Sequence, residues 1–186
     1  MALLILGLLI LIGYQALYNV HDLRQALIAR FGFASFAIAS GVAILLALAL
    51  IIEGKSNASY TTVWIPPATL QLYVMPAMFI GFVIAAAQFA PSNLRRWLPR
   101  PLMVGALIWF LVHLLVKTDL TSMTLFGGLA IFAAIGCFGK KRDEQKLPWL
   151  KESLPVAIGG VLYFVTFLIH GYLFGATPTM MGRGFF

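Results

Sequence analysis

The sequence predicts an all-α, polytopic membrane protein: a bundle of about six transmembrane helices with both the N-terminus and the C-terminus outside. Three observations predict this fold class. The chain is 61% hydrophobic and only 10% charged, with a mean hydropathy of +0.95, whereas soluble domains carry about 25% charged residues. Its apolar residues fall into stretches of about 20, the length that a bilayer requires. Its basic residues lie mostly in alternate loops between those stretches.

Six apolar stretches follow one another along the chain. The predicted spans are residues 1–20, 31–52, 67–90, 101–117, 120–138 and 154–174. Little of the 186 residues lies outside them, so we predict a single transmembrane domain over residues 1–186. Only Thr118 and Asp119 separate the fourth and fifth spans, which predicts a tight antiparallel hairpin. Thr121 or Ser122 is the predicted cap of the fifth helix.

The distribution of positive charge predicts the orientation. Lys and Arg in short loops stay on the cytoplasmic side. The first, third and fifth loops hold ten basic residues: Arg24, Arg30, Arg95, Arg96, Arg100, Lys140, Lys141, Arg142, Lys146 and Lys151. The opposite side holds three: Lys55, Lys117 and Arg183. We therefore expect a multi-pass protein of the bacterial cytoplasmic (inner) membrane. The net charge of +7 then faces anionic lipid and requires no nucleic acid.

The sequence lacks the motifs of common enzyme classes. It has no HExxH, no phosphate-binding GxxxxGK[ST] and no CxxC, and its single cysteine is Cys137. Carboxylates are absent from the middle of every predicted span, since Glu53 and Asp119 lie at span ends. Because buried carboxylates typify proton and cation carriers, a small-molecule transporter is the least favoured function. The pattern also favours a non-catalytic role over an enzyme.

Two histidines are the candidate functional residues within the membrane. His113 and His170 each lie about one helical turn from the outer end of a predicted span, so they are expected at a similar depth. Trp109 precedes His113 by one turn and lies on the same helix face. Two imidazoles on different helices suit the two axial positions of a haem iron, or a single iron or copper ion. They equally suit core histidines that hydrogen-bond to neighbouring carbonyls, and the spacing leaves both interpretations open.

Several stretches of the chain carry a family resemblance. They are Val63–Pro67, Ala90–Asn93, Arg100–Gly105 with Trp109 and His113–Leu115, Asp119–Leu120, and His170–Pro178. With these stretches the chain resembles the NnrU family of integral membrane proteins over nearly its whole length. The resemblance implies an association with nitrite and nitric oxide metabolism in denitrifying bacteria. The same superfamily includes the plant zeta-carotene isomerase, a cis–trans isomerase that depends on haem b with histidine ligands.

The chain departs from the family pattern at two positions. Gln15-Ala16 stands where the family usually has His-Ser, and Arg100-Pro101 stands where it usually has His-Pro. Both positions are expected toward the cytoplasmic side. Glutamine is a poor iron ligand and arginine has no lone pair to offer. If family haem ligation uses those two histidines, this chain has lost it.

The sequence favours two functions over small-molecule transport. The favoured one is a non-catalytic accessory protein or subunit of a larger membrane complex linked to respiratory, nitrogen-oxide or photosynthetic metabolism, whose tail Met180–Phe186 docks on a partner. The alternative is a haem-b-binding membrane protein with redox or isomerase activity, with His113, His170 and Trp109 in the haem pocket.

Overall fold

The computed structural model describes residues 1–139 and 145–174. Lys140, Lys141, Arg142 and the tail Met180–Phe186 lie outside these residues. The helices are α1 (Ala2–Asn19), α2 (His21–Phe31), α3 (Phe33–Ser56), α4 (Gln71–Ala86), α5 (Asn93–Trp97), α6 (Pro101–Val116), α7 (Leu120–Cys137) and α8 (Ser153–Phe174). Short 3₁₀ turns at Ala68–Leu70 and Trp149–Glu152 lead into α4 and α8.

The prediction of an all-helical membrane protein is confirmed. Five helical segments of the described chain are long and apolar enough to cross a membrane: Ala2–Asn19, Phe33–Ser56, Ala68–Ala86, Leu120–Cys137 and Trp149–Tyr172. The sixth apolar helix, α6, has 16 residues and is about 24 Å long. It is therefore shorter than a typical hydrocarbon core of about 30 Å.

Two short helices lie in segments that the sequence pattern had left as loops. Helix α2 has no buried residue, and it carries Asp22 in its first turn and Arg30 in its last, where each charge opposes the nearer pole of the helix dipole. Gly32 separates α2 from α3 and has a φ of 81°. Glycine adopts this backbone conformation without steric cost. Helix α5 begins where the Ser92 side chain accepts a hydrogen bond from the Arg95 N–H.

The six apolar helices pack side by side in the order α3, α1, α7, α6, α4, α8. Helices α3 and α8 thus lie at opposite edges of the array, and the main helix neighbour of α8 is α4. Many large apolar side chains outside these contacts are exposed, as expected where lipid replaces protein neighbours. The buried cluster between α1 and α3 contains Leu4, Leu8, Leu11, Ala47 and Ile51.

Glycines set the closest helix contacts. A β-carbon at Gly105 of α6 would lie 2.7 Å from the Ala85 β-carbon of α4. A β-carbon at Gly159 of α8 would lie 2.6 Å from the Val83 α-carbon of α4. Small residues at such positions allow helix backbones to approach closely in lipid. The α4 helix is therefore held between two neighbours by backbone-level contact on both sides.

The predicted hairpin of α6 and α7 is present, but its cap is different. Asp119, rather than Thr121 or Ser122, is the N-cap of α7, and its side chain accepts a hydrogen bond of 2.7 Å from the Ser122 N–H. The segment before α4 lies against this turn: the Val63 N–H donates to Thr118 O at 2.9 Å, and the Leu120 N–H donates to Thr61 O at 2.9 Å. Residues 57–67, named the outer loop because the charge distribution predicts that they face outward, are therefore fixed to the hairpin by backbone hydrogen bonds.

Candidate functional site

The structure brings His113 and His170 to one cavity. This cavity of about 40 Å³ lies between α4, α6 and α8, toward the end of the array that carries the outer loop. The residues that line it are Val74, Met75, Met78, Phe82, Val112, His113, Val116, Tyr163, Thr166, Phe167 and His170. Sequence spacing gave the two histidines a similar depth, and the rotation of α6 and α8 about their axes makes both line the same space.

The imidazole of His113 is held in one position by its neighbours. Its side chain is only 6% exposed, and its Nδ1 lies 2.9 Å from Trp109 O. Its ring lies 4.5 Å from the Trp109 ring and 4.7 Å from the Phe126 ring, measured between centroids, and is stacked on Phe126. Trp109 therefore helps to fix the position of the His113 ring. It is not one of the residues that line the cavity.

Four further polar or polarisable residues of this cavity were missed by the sequence interpretation: Met75, Met78, Tyr163 and Thr166. Met75 and Met78 are one turn apart on α4, and both line the cavity. Tyr163 of α8 donates a hydrogen bond from its hydroxyl to Met75 Sδ at 3.4 Å. Methionine in an apolar helix resembles any other core residue, so only its position beside two histidines distinguishes this pair.

The size of the cavity can be compared with the haem that the family resemblance implies. Pockets that hold drug-sized ligands measure about 300–1,000 Å³, and this cavity measures about 40 Å³. It exceeds the roughly 10–15 Å³ that one water needs, but a porphyrin does not fit between α4, α6 and α8 as they pack here. Within residues 1–139 and 145–174, no group of three or more His, Cys, Asp or Glu side chains is placed to hold a metal ion.

The two departures from the family pattern, Gln15 and Arg100, also lie together. Both line a shallow cleft of about 430 Å³ between α1 and α6. Arg100 Nη1 donates to Asn19 Oδ1 at 2.6 Å and to Gly136 O at 3.2 Å. The guanidinium thus lies at the C-terminal end of α7, where a positive charge is favourable. This arrangement joins α1, α6 and α7, and offers no iron ligand at Arg100.

A second polar cluster joins the C-terminal end of α3 to the N-terminal end of α7. Lys55 Nζ donates to Ser122 Oγ at 2.8 Å and lies 4.0 Å from Asp119 Oδ1. Burial alone would raise the pKa of Asp119, but the hydrogen bonds from Ser122 and the charge of Lys55 together lower the pKa below its ordinary value. The cluster therefore holds these two helix ends together.

The described residues define an α-helical, polytopic membrane protein with polar clusters at helix ends and two histidines on an apolar cavity. The chain belongs to the NnrU family, because the family model described as "NnrU protein" matches residues 3–178. This match covers all the described helices except the first residue of α1. No curated protein and no solved structure matches the chain.

Proposed function

We propose that this protein is a non-catalytic accessory subunit of a larger assembly in the bacterial inner membrane, linked to respiratory, nitrogen-oxide or photosynthetic metabolism. In a membrane, lipid covers apolar helix faces. The exposed faces of α3 and α8 are therefore not evidence for a protein partner. The outer loop supports the proposal, because it lies beyond the ends of α3 and α4 and still presents apolar side chains.

The outer loop is both fixed and apolar. Its backbone is joined to the α6–α7 hairpin through Thr61, Thr62 and Val63, so it keeps one shape. Within this loop Val63 is 54% exposed and Ile65 is 80% exposed. Two exposed aliphatic side chains on a rigid loop outside the spans offer a partner protein apolar surface whose burial would be favourable. Partner binding would bury these side chains at little cost in loop ordering.

The proposal is tested by purification from native membranes in mild detergent. We expect the full chain to co-purify with a larger complex, and a photo-crosslinking residue at Ile65 to join it to a component of that complex. The same crosslinker at Val161, an exposed position on α8, serves as the lipid-facing control. Replacing Val63 and Ile65 by serine should release the partner, whereas Leu150→Ser, at the other end of the array, should not. A monodisperse monomer without crosslinks at Ile65 contradicts the proposal.

A haem-b-binding redox or isomerase protein is the second candidate. The placement of His113 and His170 on one cavity favours it. The small volume of that cavity and the presence of Gln15 and Arg100 weigh against it. A visible absorption spectrum of the chain separates the two candidates.

A further inference from the structure

The cavity between α4, α6 and α8 combines the donor atoms of a soft-metal site. Its lining includes the imidazoles of His113 and His170 and the thioethers of Met75 and Met78. Thioether sulfur selects Cu(I) among the biological first-row metals, and imidazole accepts copper readily. We propose that these four side chains form a binding site for one Cu(I) ion.

The hydrogen bond of His113 leaves the ligand position of its ring available. Trp109 O accepts hydrogen bonds and cannot donate them, so Nδ1 of His113, 2.9 Å away, carries the proton. In the neutral ring the lone pair is then on Nε2, the atom that binds a metal. A backbone carbonyl that holds the other ring nitrogen is the usual support of a metal-ligating histidine. Stacking against Trp109 and Phe126 fixes the ring plane.

The sulfur of Met75 is also positioned by a neighbour. The Tyr163 hydroxyl donates to its Sδ at 3.4 Å, which orients the thioether at the wall of the cavity. A sulfur atom has more than one lone pair, so this weak hydrogen bond still allows a metal bond. Met78 follows one turn later on the same face of α4. Helix α4 therefore supplies two sulfur donors, while α6 and α8 each supply one nitrogen donor.

The electrostatics of the cavity favour a monovalent ion. All four donors are neutral, and none of the described residues that line the cavity carries a carboxylate. Lys117, whose N–H donates to His113 O at 3.0 Å, adds a positive charge one turn away. Burying an uncompensated charge in an apolar environment is costly, and the cost grows with the square of the charge. Cu(I) is therefore favoured over Zn²⁺ or Cu²⁺, and the space of about 40 Å³ admits an ion but not a macrocycle.

The test is an anaerobic titration of the purified full chain with Cu(I) held by bicinchoninate as a competing chelator. We expect one Cu(I) per chain, with both nitrogen and sulfur neighbours in the X-ray absorption spectrum of the metal. The double variant Met75→Leu with Met78→Leu should weaken binding at least roughly tenfold and remove the sulfur signal. Leucine conserves volume and apolarity, so this variant is expected to fold.

The matched control is Met103→Leu, which changes a methionine of α6 that lines a different cleft and should leave Cu(I) affinity unchanged. A double variant that binds Cu(I) as tightly as the unaltered chain overturns the proposal. So does an unaltered chain that binds no Cu(I), or one that prefers Zn²⁺ in the same competition. The proposed accessory role is measured by co-purification at the outer loop, so either proposal can fail without the other.

Discussion

Asn93 holds the backbone of Leu147 by two hydrogen bonds. Its Nδ2 donates to Leu147 O at 2.9 Å, and its Oδ1 accepts from the Leu147 N–H at 2.9 Å. The Asn93 N–H in turn donates to Glu152 Oε1 at 2.5 Å. Asn93 is only 2% exposed, so these bonds are shielded from water. They join the segment between α4 and α6 to the segment that leads into α8.

Removing this contact should destabilise the fold. The change Asn93→Ala leaves the N–H and C=O of Leu147 without these two bonds, and such a loss costs about 1–3 kcal/mol. We expect a lower thermal unfolding midpoint in detergent. Asn57→Ala is the control, because the Asn57 side chain bonds only within its own helix end, to Glu53, and should change the midpoint little. Equal midpoints for the two variants would refute the structural role of Asn93.

Asp119 should make the fold less stable at acidic pH, and this decrease is called the acid limb of the stability curve. Its folded-state pKa is below the ordinary value of 3.8, so the carboxylate stabilises the fold above that pH. This stabilisation is lost as the pH falls through the folded-state pKa. The variant Asp119→Asn should be less stable at neutral pH and should lose less stability between pH 5 and pH 3. Thermal unfolding across this range measures both effects.

The matched control for Asp119 is Asp22→Asn. Asp22 is an exposed aspartate on α2, far from the Lys55 cluster, and its replacement should leave the acid limb intact. An acid limb that persists in Asp119→Asn would assign the pH dependence to other carboxyl groups.

The glycine contacts predict opposite effects for two small substitutions. Gly105→Ala places a methyl group against Ala85 of α4 and should cost about 1–3 kcal/mol through overpacking. Gly41→Ala on α3 meets no neighbouring atom within 4 Å, and it should be neutral or stabilise the helix by up to about 1 kcal/mol. Unfolding in detergent compares the two variants. Similar stabilities would mean that α4 and α6 are not in contact through Gly105.

The volume of the histidine cavity predicts the absorption spectrum. The chain purified with full haem supply and separated from any partner complex, before and after dithionite, should show no Soret band and no reduced α and β bands. A Soret band that disappears on His113→Ala or His170→Ala would instead establish haem, and would require α8 to pack differently from the arrangement described here. The spectrum thus decides between the two candidate functions.

The charge distribution predicts which end of the array faces the cytoplasm. In a Cys137→Ser background, Asn57→Cys should react with a membrane-impermeant maleimide in intact cells. Gln145→Cys should react only after the membrane is permeabilised. Both positions are exposed, so accessibility within the protein does not limit the reaction. The reverse labelling pattern would show that the basic loops face outward.

The sequence alone determined the helical membrane class, because runs of about 20 apolar residues have no other stable arrangement in a bilayer than hydrogen-bonded helices. It also predicted the α6–α7 hairpin, since Thr118 and Asp119 leave no room for another connection. The predicted position of the α7 cap was wrong by two or three residues, because Asp119, Thr121 and Ser122 are all good capping residues. Helix α2 was missed because its residues bury no apolar face.

Only the tertiary structure decided which helices are neighbours and which side chains share a cavity. A helix that is apolar on all sides has no face that fixes its rotation in lipid, and backbone contacts at Gly105 and Gly159 set the rotation of α4, α6 and α8 instead. That rotation places Met75 and Met78 beside His113 and His170. The four donors come from three separate helices, so no local spacing in the sequence could have assembled them.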